Sequence, residues 1–378
     1  MTIDKTLKGV AVLATLNTKA QAAAYLCERL SEMGLEPVVV DIAAGLGDKM
    51  EAMSSAAARA QEFIQKGVTT GRIVGVIAIG GGTGSQIALS AMKTLPFGFP
   101  KVLLSTLPFD VRGHVADHDV LLVPAIADIM GLNDTLRRTI RSAAAAMVGL
   151  LATSCEASTR PSVGLSAIGV TTKGAEAVLA GMTQADFEVT AFHANGFGGF
   201  AMEQWMRAGR LDGVVDFTLY ELSASLFGGP APQLAKRLTV AGSLGLPQLV
   251  VPGAIDLMWR GPIGSLTAEE RRRPHYSHSP AITHVGLNQD EMDAVADIVA
   301  ARLQGSNGPV AVVVPLGGLS VQNHREGPLW QEGATERLAE RLRRTLPMAV
   351  RVMTDPHHIN DARFADRVVA EYMTLQLT

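Results

Sequence analysis

The sequence is poor in the features that mark several broad classes of protein. Among 378 residues there are two cysteines, Cys27 and Cys155, and only 5% aromatic side chains. Two cysteines build neither a disulfide framework nor a four-cysteine zinc site. They fit a reducing compartment, as small buried side chains. No stretch reaches the roughly 18 uninterrupted apolar residues that a membrane-spanning helix needs. The opening segment, a few polar residues and then the short run Gly9 to Ala14, lacks the pattern of a secretory signal. These absences predict a cytoplasmic protein that meets no membrane. Charge is scarce at 18% and nearly balanced, 33 Lys and Arg against 36 Asp and Glu. That balance predicts no broad basic face and no nucleic-acid partner.

Apolar residues and glycine are abundant instead. Hydrophobic residues make up 47% of the chain, which excludes a mainly disordered protein. The 38 glycines cluster after apolar runs, as in loops whose backbone approaches a ligand. At about 150 residues per domain the length predicts two domains.

The first half alternates short apolar runs with helical patterns. Val10 to Ala14, Pro37 to Ile42, Ile73 to Ile79, Lys101 to Ser105 and Val120 to Val123 read as strands. Helical patterns cover 20–33, 49–66 and the stretch from the glycines at 80–84 to Leu95. Continuous apolar strands alternating with helices predict a parallel sheet covered on both faces. The second half repeats the plan. Val163 to Lys173 parallels Val10 to Lys19, Val189 to His193 parallels Val38 to Asp41, Gly209 to Val214 parallels Gly71 to Val76, and Gly245 to Leu249 parallels Gly98 to Val102. The fold class predicted is therefore α/β, with two tandem Rossmann-like, doubly wound parallel sheets, duplicated, and a cleft between the domains. An Ala-rich helix from Leu132 to Thr153 ends the first domain (1–153), Ser154 to Pro161 is a linker, and 162–378 forms the second. Val310 to Val314 and Val350 to Met353 complete its sheet, and 259–282 reads as a long loop, a candidate lid with His275, His278 and, beside it, His284.

In open parallel sheets ligands bind beyond the carboxyl ends of the strands, so the residues there are the candidates. In the first half they are Thr15, Asn17, Thr18, Lys19, Asp41, the run Gly81, Gly82, Thr83, Gly84, Ser85, and Ser105 with Thr106. Glycines leave backbone N–H groups open at a helix start, where the dipole favours an anion, and Lys19 could add a point charge. The set predicts a small anionic, phosphorylated ligand. The P-loop pattern is absent. In the second half the tips carry His193, Asp216, Glu221, Asp256, His358 and Asp361, which could supply acid–base catalysis or hold a metal. His114 and His118 have a spacing that on a helix can bind metal, and Arg271 to Arg273 could meet an anionic substrate. Gly196 to Ala201 satisfies G-x-G-x-x-A with Asp216 twenty residues on from Gly196, which raises a dinucleotide-dependent oxidoreductase as an alternative.

Thr15 to Lys19, the run Gly80 to Gly84, Phe192 to Gly199, Pro252 to Asp256 and His358 to Asp361 together resemble the UPF0261 family, the Tm-1-like ATP-binding proteins. The resemblance spans essentially the whole chain. It implies two α/β domains, an ATP site in the first with Mg²⁺ as companion, and a homodimer. The function expected is an ATP- or phosphorylated-ligand-binding enzyme of small-molecule metabolism, or else a non-catalytic nucleotide-dependent inhibitory protein. The chain departs from the family at Asn17, where Asp is usual, in the glycine loop, and at Leu107-Pro108-Phe109, where small residues are usual.

Overall fold

The computed structural model describes residues 8–153, 158–228 and 237–377. Cys155 and the first half of the expected linker, 154–157, fall outside them. The chain divides between residues 157 and 158 into two compact units.

In the first unit the order is β1 (Gly9–Ala14), α1 (Leu16–Glu32), β2 (Glu36–Asp41), α2 (Lys49–Thr69), β3 (Ile73–Gly80), α3 (Gly82–Met92), β4 (Lys101–Ser105), α4 (Arg112–Val115), β5 (Leu121–Pro124) and α5 (Asp134–Ala152). The strands lie in the order β2-β1-β3-β4-β5 and every pairing is parallel. Alternate residues of β1 face opposite helical layers, as period-two geometry requires. Val10, Val12 and Ala14 pack in one core with Leu26 and Leu30 of α1 and Ile140 of α5. Ala11 and Leu13 pack in the other with Ala60 and Ile64 of α2 and Ile87 of α3. Burial on both faces explains why β1 and β3 read as unbroken apolar runs, whereas the edge strand β2 keeps exposed residues. The helices start where local chemistry satisfies their first N–H groups: Asp48 Oδ1 accepts from Met50 and Glu51 at the start of α2, and Asn133 Oδ1 from Leu136 at α5.

The second unit runs β6 (Ser162–Ala167), α6 (Thr172–Gln184), β7 (Glu188–His193), α7 (Gly198–Arg207), β8 (Gly213–Thr218), α8 (Tyr220–Phe227), α9 (Val240–Leu244), β9 (Gln248–Gly253), β10 (Leu257–Arg260), β11 (His275–Ser279), β12 (Ile282–Gly286), α10 (Gln289–Leu303), β13 (Val310–Pro315), α11 (Ala334–Thr345), β14 (Arg351–Asp355) and α12 (Ala362–Leu375). Its main sheet is β14-β13-β9-β8-β6-β7, again parallel throughout. Taken from its first strand, this is the order of the first unit with one strand added. All four sequence parallels fall on equivalent strands: β1 with β6, β2 with β7, β3 with β8, β4 with β9. Helices α10 and α11 cover one face of this sheet and α6 and α12 the other. Both sheets are thus doubly wound.

One expectation is corrected here. The stretch 259–282 is not a structureless loop: β10, β12 and β11 form a three-stranded antiparallel sheet. Arg273, one of the three arginines read as able to meet an anionic substrate, is ion-paired with Glu291. Among the described residues no helix is long and apolar enough to cross a membrane.

Candidate functional site

The strand order of the first sheet reverses between β1 and β3, the switch point at which open α/β sheets leave a crevice. Two candidate loops meet there. Gly84 lies against Thr15, since a Cβ on that glycine would sit 3.4 Å from Thr15 Cγ2. Gly81 caps α3 with extended backbone, no side chain caps that end, and the first turn carries no acid. Thr106 and Pro108, after β4, flank Gly81 and Gly82. Beneath the loop Ser85 Oγ and Ser105 Oγ are 2.6 Å apart and fully buried, and Ser105 Oγ also accepts from Leu107 N at 3.0 Å. This pair clamps β4 to the start of α3 and fixes the glycine turn. Thr83 lies half-buried in the first turn of α3.

Other members of the set are engaged elsewhere. Lys19 was expected beside the glycines, but its Nζ donates to Ile129 O at 2.6 Å, and it lines a separate hollow of about 220 Å³ with Asn17, Thr18 and Gly131. Asp41 Oδ1 accepts from Leu16 N and Ala43 N, so the protein's own carboxylate sits on the α1 N-terminus. Thr15 and Thr18 pair through their hydroxyls at 3.1 Å.

The departure at Leu107 has a structural cost. Its φ is +46°, in the left-handed region that glycine occupies freely. A leucine held there is strained by about 1–2 kcal/mol. Leu107→Gly is expected to raise stability by about 1 kcal/mol once the entropy of the added glycine is subtracted. Urea unfolding monitored by circular dichroism checks this.

In the second unit the six acid and histidine candidates do not converge. Asp216 lies inside the unit on β8, 2.5 Å from Arg237 Nη2, and accepts from Gln248 Nε2 at 2.7 Å. Glu221 is 3.0 Å from Arg237 Nε and its Oε1 accepts from Gly196 N at 2.7 Å and Gly199 N at 3.0 Å. Glu203 completes this buried group, 3.9 Å from Arg237 and accepting from Leu238 N. Burial pushes its carboxyl up to about 7, against the pull of Arg237. The G-x-G-x-x-A motif is therefore turned inward. The α7 N-terminus that would receive a pyrophosphate is filled by Glu221, and a Cβ on Gly199 would overlap that carboxylate. Asp216, the proposed ribose partner, is spent on Arg237. This removes the structural basis for a dinucleotide site.

Asp361 caps α12 and pairs with the exposed Arg363, whose hydrogen bonds hold its carboxyl well below the usual range. His358 is fixed at both ring nitrogens, Nε2 donating to Ser320 O at 2.9 Å and Nδ1 accepting from Asn360 N at 3.0 Å. Burial lowers its pKa, and with both ring nitrogens engaged by backbone groups it braces the turn at Ser320. His193 is exposed at the end of edge strand β7. Three strand spacings, about 14 Å, separate β7 from β9, beyond which Asp256 lies. Asp256 alone keeps the character of a candidate. It is 1% exposed, Ser320 Oγ donates to its Oδ2 at 2.7 Å, and its Oδ1 has no hydrogen-bond partner. Burial raises its pKa to about 6. Ser320 falls in the polar tip Gly317 to Ser320, but Arg237 was not singled out from sequence, because nothing local links it to Glu221, 16 positions away. His114 and His118 gather no metal set: among the described residues no group of three or more His, Cys, Asp or Glu could hold a metal ion.

The two units diverge at equivalent positions. Where α3 is entered through Gly81, Gly82 and Thr83, α8 is entered through Leu219, Tyr220 and Glu221. In the first copy Gly81, Gly82 and Thr83 are half-buried, whereas in the second Leu219, Tyr220 and Glu221 are fully buried.

Comparison with known proteins agrees with this two-unit plan. A UPF0261 protein of Mesorhizobium japonicum is 30% identical, the alignment covering 96% of this chain and 98% of that protein. One of Clostridium tetani is 29% identical over 95% and 96%. The tomato ToMV susceptible protein tm-1(GCR26) is 29% identical over 83% of this chain, which spans 43% of the tomato protein. Among solved structures, the S. aureus MnaA–UDP co-structure aligns over 98% of both chains at 12% identity and a TM-score of 0.25, too slight a likeness to argue from. Residues 43–156 match the model of the uncharacterised protein family UPF0261 N-terminal domain, and residues 160–376 that of its C-terminal domain. The chain belongs to the UPF0261 family.

Proposed function

We propose that this protein binds a phosphorylated ligand, ATP foremost, at the glycine turn of its first unit. The observation that carries the reading is the Gly81–Ser85 turn at the β1/β3 switch point, opening an eleven-residue helix whose first turn is neither capped by a side chain nor acidic. Backbone N–H groups and the helix dipole favour an anion at such an end. Thr83 and Thr106 bring hydroxyl donors to the same place, and the resemblance to the Tm-1-like ATP-binding proteins points to a nucleotide as the bearer of the phosphates.

The test separates binding from folding. At Gly81 the backbone is extended, φ −86°, and an added Cβ meets nothing closer than Thr106 Oγ1 at 4.0 Å. Gly81→Asp therefore fits, supplies the missing cap, and raises stability by a few tenths of a kcal/mol. It also puts a carboxylate where the phosphate would sit. Calorimetric titration with ATP and Mg²⁺ is expected to give saturable heat with the wild type and none with Gly81→Asp, at equal or higher melting temperature. Undiminished ATP binding by the variant overturns the reading.

A further inference from the structure

The crossover from β4 to β5 is unlike the others of the first unit. Parallel strands are usually joined through a helix that covers the sheet, and α1, α2 and α3 do this with 17, 21 and 11 residues. Here α4 has four residues, none of them buried. Residues 106–120 instead run as a strap whose first residues lie on the glycine turn. A Cβ on Gly81 would meet Thr106 Oγ1 at 4.0 Å, and one on Gly82 would meet Pro108 Cγ at 3.1 Å. The proline ring thus rests against the start of α3, where the phosphate-ligand reading places the anion.

The strap is held at its ends. At the near end Leu107 N donates to Ser105 Oγ at 3.0 Å, and Ser105 Oγ lies 2.6 Å from Ser85 Oγ of α3. At the far end Asp119 is 2.6 Å from Nζ of the buried Lys101 and accepts from Gly98 N. Between these anchors the chain closes on itself. Phe109 packs edge-on against His114, 5.4 Å between ring centroids, Asp110 pairs with Arg112, and His118 N donates to Val115 O at 3.1 Å. The near end is also the strained point. Leu107 has φ +46°, a conformation that persists in a leucine only where its surroundings impose it. The serine pair that fixes the glycine turn imposes it here. Strain that is released on leaving a state favours leaving it, so Leu107 is loaded toward opening.

We propose that Leu107 to His118 form a strap that covers the glycine turn in the ligand-free protein and lifts about Leu107 when a phosphorylated ligand enters. The inference rests on the phosphate-site reading above. Only the lifted state binds, so the apparent affinity is the intrinsic one reduced by the fraction of chains that are lifted. Thr106 precedes the hinge and stays beside Gly81 in both states.

Two substitutions shift that fraction in opposite directions. Leu107→Gly relieves strain in the closed state alone. The stability it gains, converted to a binding ratio, makes it bind ATP with Mg²⁺ about fivefold more weakly than wild type, although it is the more stable protein. Pro108→Ala removes the ring that lies on Gly82 and should bind more tightly than wild type. A purely structural connection has no reason to trade affinity for stability in this way. Calorimetry gives the affinities. Hydrogen exchange at the wild-type Leu107 amide, whose bond to Ser105 breaks as the strap lifts, reports the motion itself and should quicken at saturating ATP and Mg²⁺. Affinity unchanged or raised in Leu107→Gly overturns the proposal, as does a Leu107 amide that exchanges no faster in the complex. Both results leave the phosphate site standing, because ATP has bound. No heat from either wild type or Pro108→Ala removes the phosphate site, and the strap with it.

Discussion

Arg237→Leu is expected to destabilise the second unit by about 3–5 kcal/mol, the usual cost of removing one partner from a buried ion group. Arg237 is 1% exposed and lies between Asp216, Glu221 and Glu203, themselves 0%, 0% and 5% exposed. Without the guanidinium, acidic groups remain in the interior with only their neutral partners, Gln248 for Asp216 and the backbone N–H groups of Gly196, Gly199 and Leu238 for the other two. The loss is a penalty of orphaned charge rather than the worth of the ion pairs. Glu221→Gln, which keeps an acceptor for Gly196 and Gly199 and leaves Arg237 with Asp216, should cost about 1 kcal/mol, a typical net hydrogen-bond value. Urea unfolding of both variants measures the difference. A loss below about 1 kcal/mol for Arg237→Leu would mean that water reaches these carboxylates, and would return Asp216 and Glu221 to the pool of accessible acids.

The second large effect is a pH dependence that one substitution isolates. Glu203 has its pKa raised by burial to about 7 in the folded chain, above the unfolded value near 4.5. Between those values the folded state binds more protons than the unfolded one, so this group's contribution to stability is full below about pH 4.5 and is lost as pH rises through about 7. At about 1.36 kcal/mol per pKa unit the loss is on the order of 3 kcal/mol. Asp256 acts in the same sense up to about pH 6. His284 acts in the opposite sense, because its lowered pKa makes the folded state gain stability as pH rises from about 4 to 6.5. Comparison of Glu203→Gln with wild type removes these contributions. The amide retains an acceptor for Leu238 N and cannot ionise. The variant is expected to match wild type near pH 4.5 and to exceed it by about 3 kcal/mol at pH 8. A difference that does not grow with pH would show that Glu203 is ionised at little cost, with Arg237 fully compensating its burial.

The parallel sheets were legible because burial on both faces leaves unbroken apolar runs, and Val10 to Ala14 or Ile73 to Ile79 permit little else. The internal parallels were legible for the same reason, since matching runs fell on matching strands. The glycine turn was legible as local chemistry. What escaped depended on partners distant in sequence. The strands at 257–286 pair antiparallel through residues such as Trp259, Tyr276 and His284, whose mixed polarity gives no clean alternation. Asp216, Glu221 and Asp361 looked available because Arg237 lies 16 to 21 residues from the first two and because Arg363 can follow a cap as easily as a catalytic acid. Lys19 looked like a phosphate ligand until Ile129, 110 positions away, claimed its ammonium. The motif at 196–201 has the glycines of a pyrophosphate loop because a bulky acid must approach the same backbone, and an internal carboxylate imposes the same steric demand as an external phosphate.

The contrast between the entries to α3 and α8 bears on stoichiometry. Twin halves would ordinarily suggest twin receptors, with two equivalents of ligand per chain and the possibility of cooperation between them. Leu219, Tyr220 and Glu221 remove that symmetry. Saturation with a phosphorylated compound should therefore end at one equivalent, and its isotherm should be hyperbolic for each chain, the sister sheet having exchanged vacancy for permanent internal ballast.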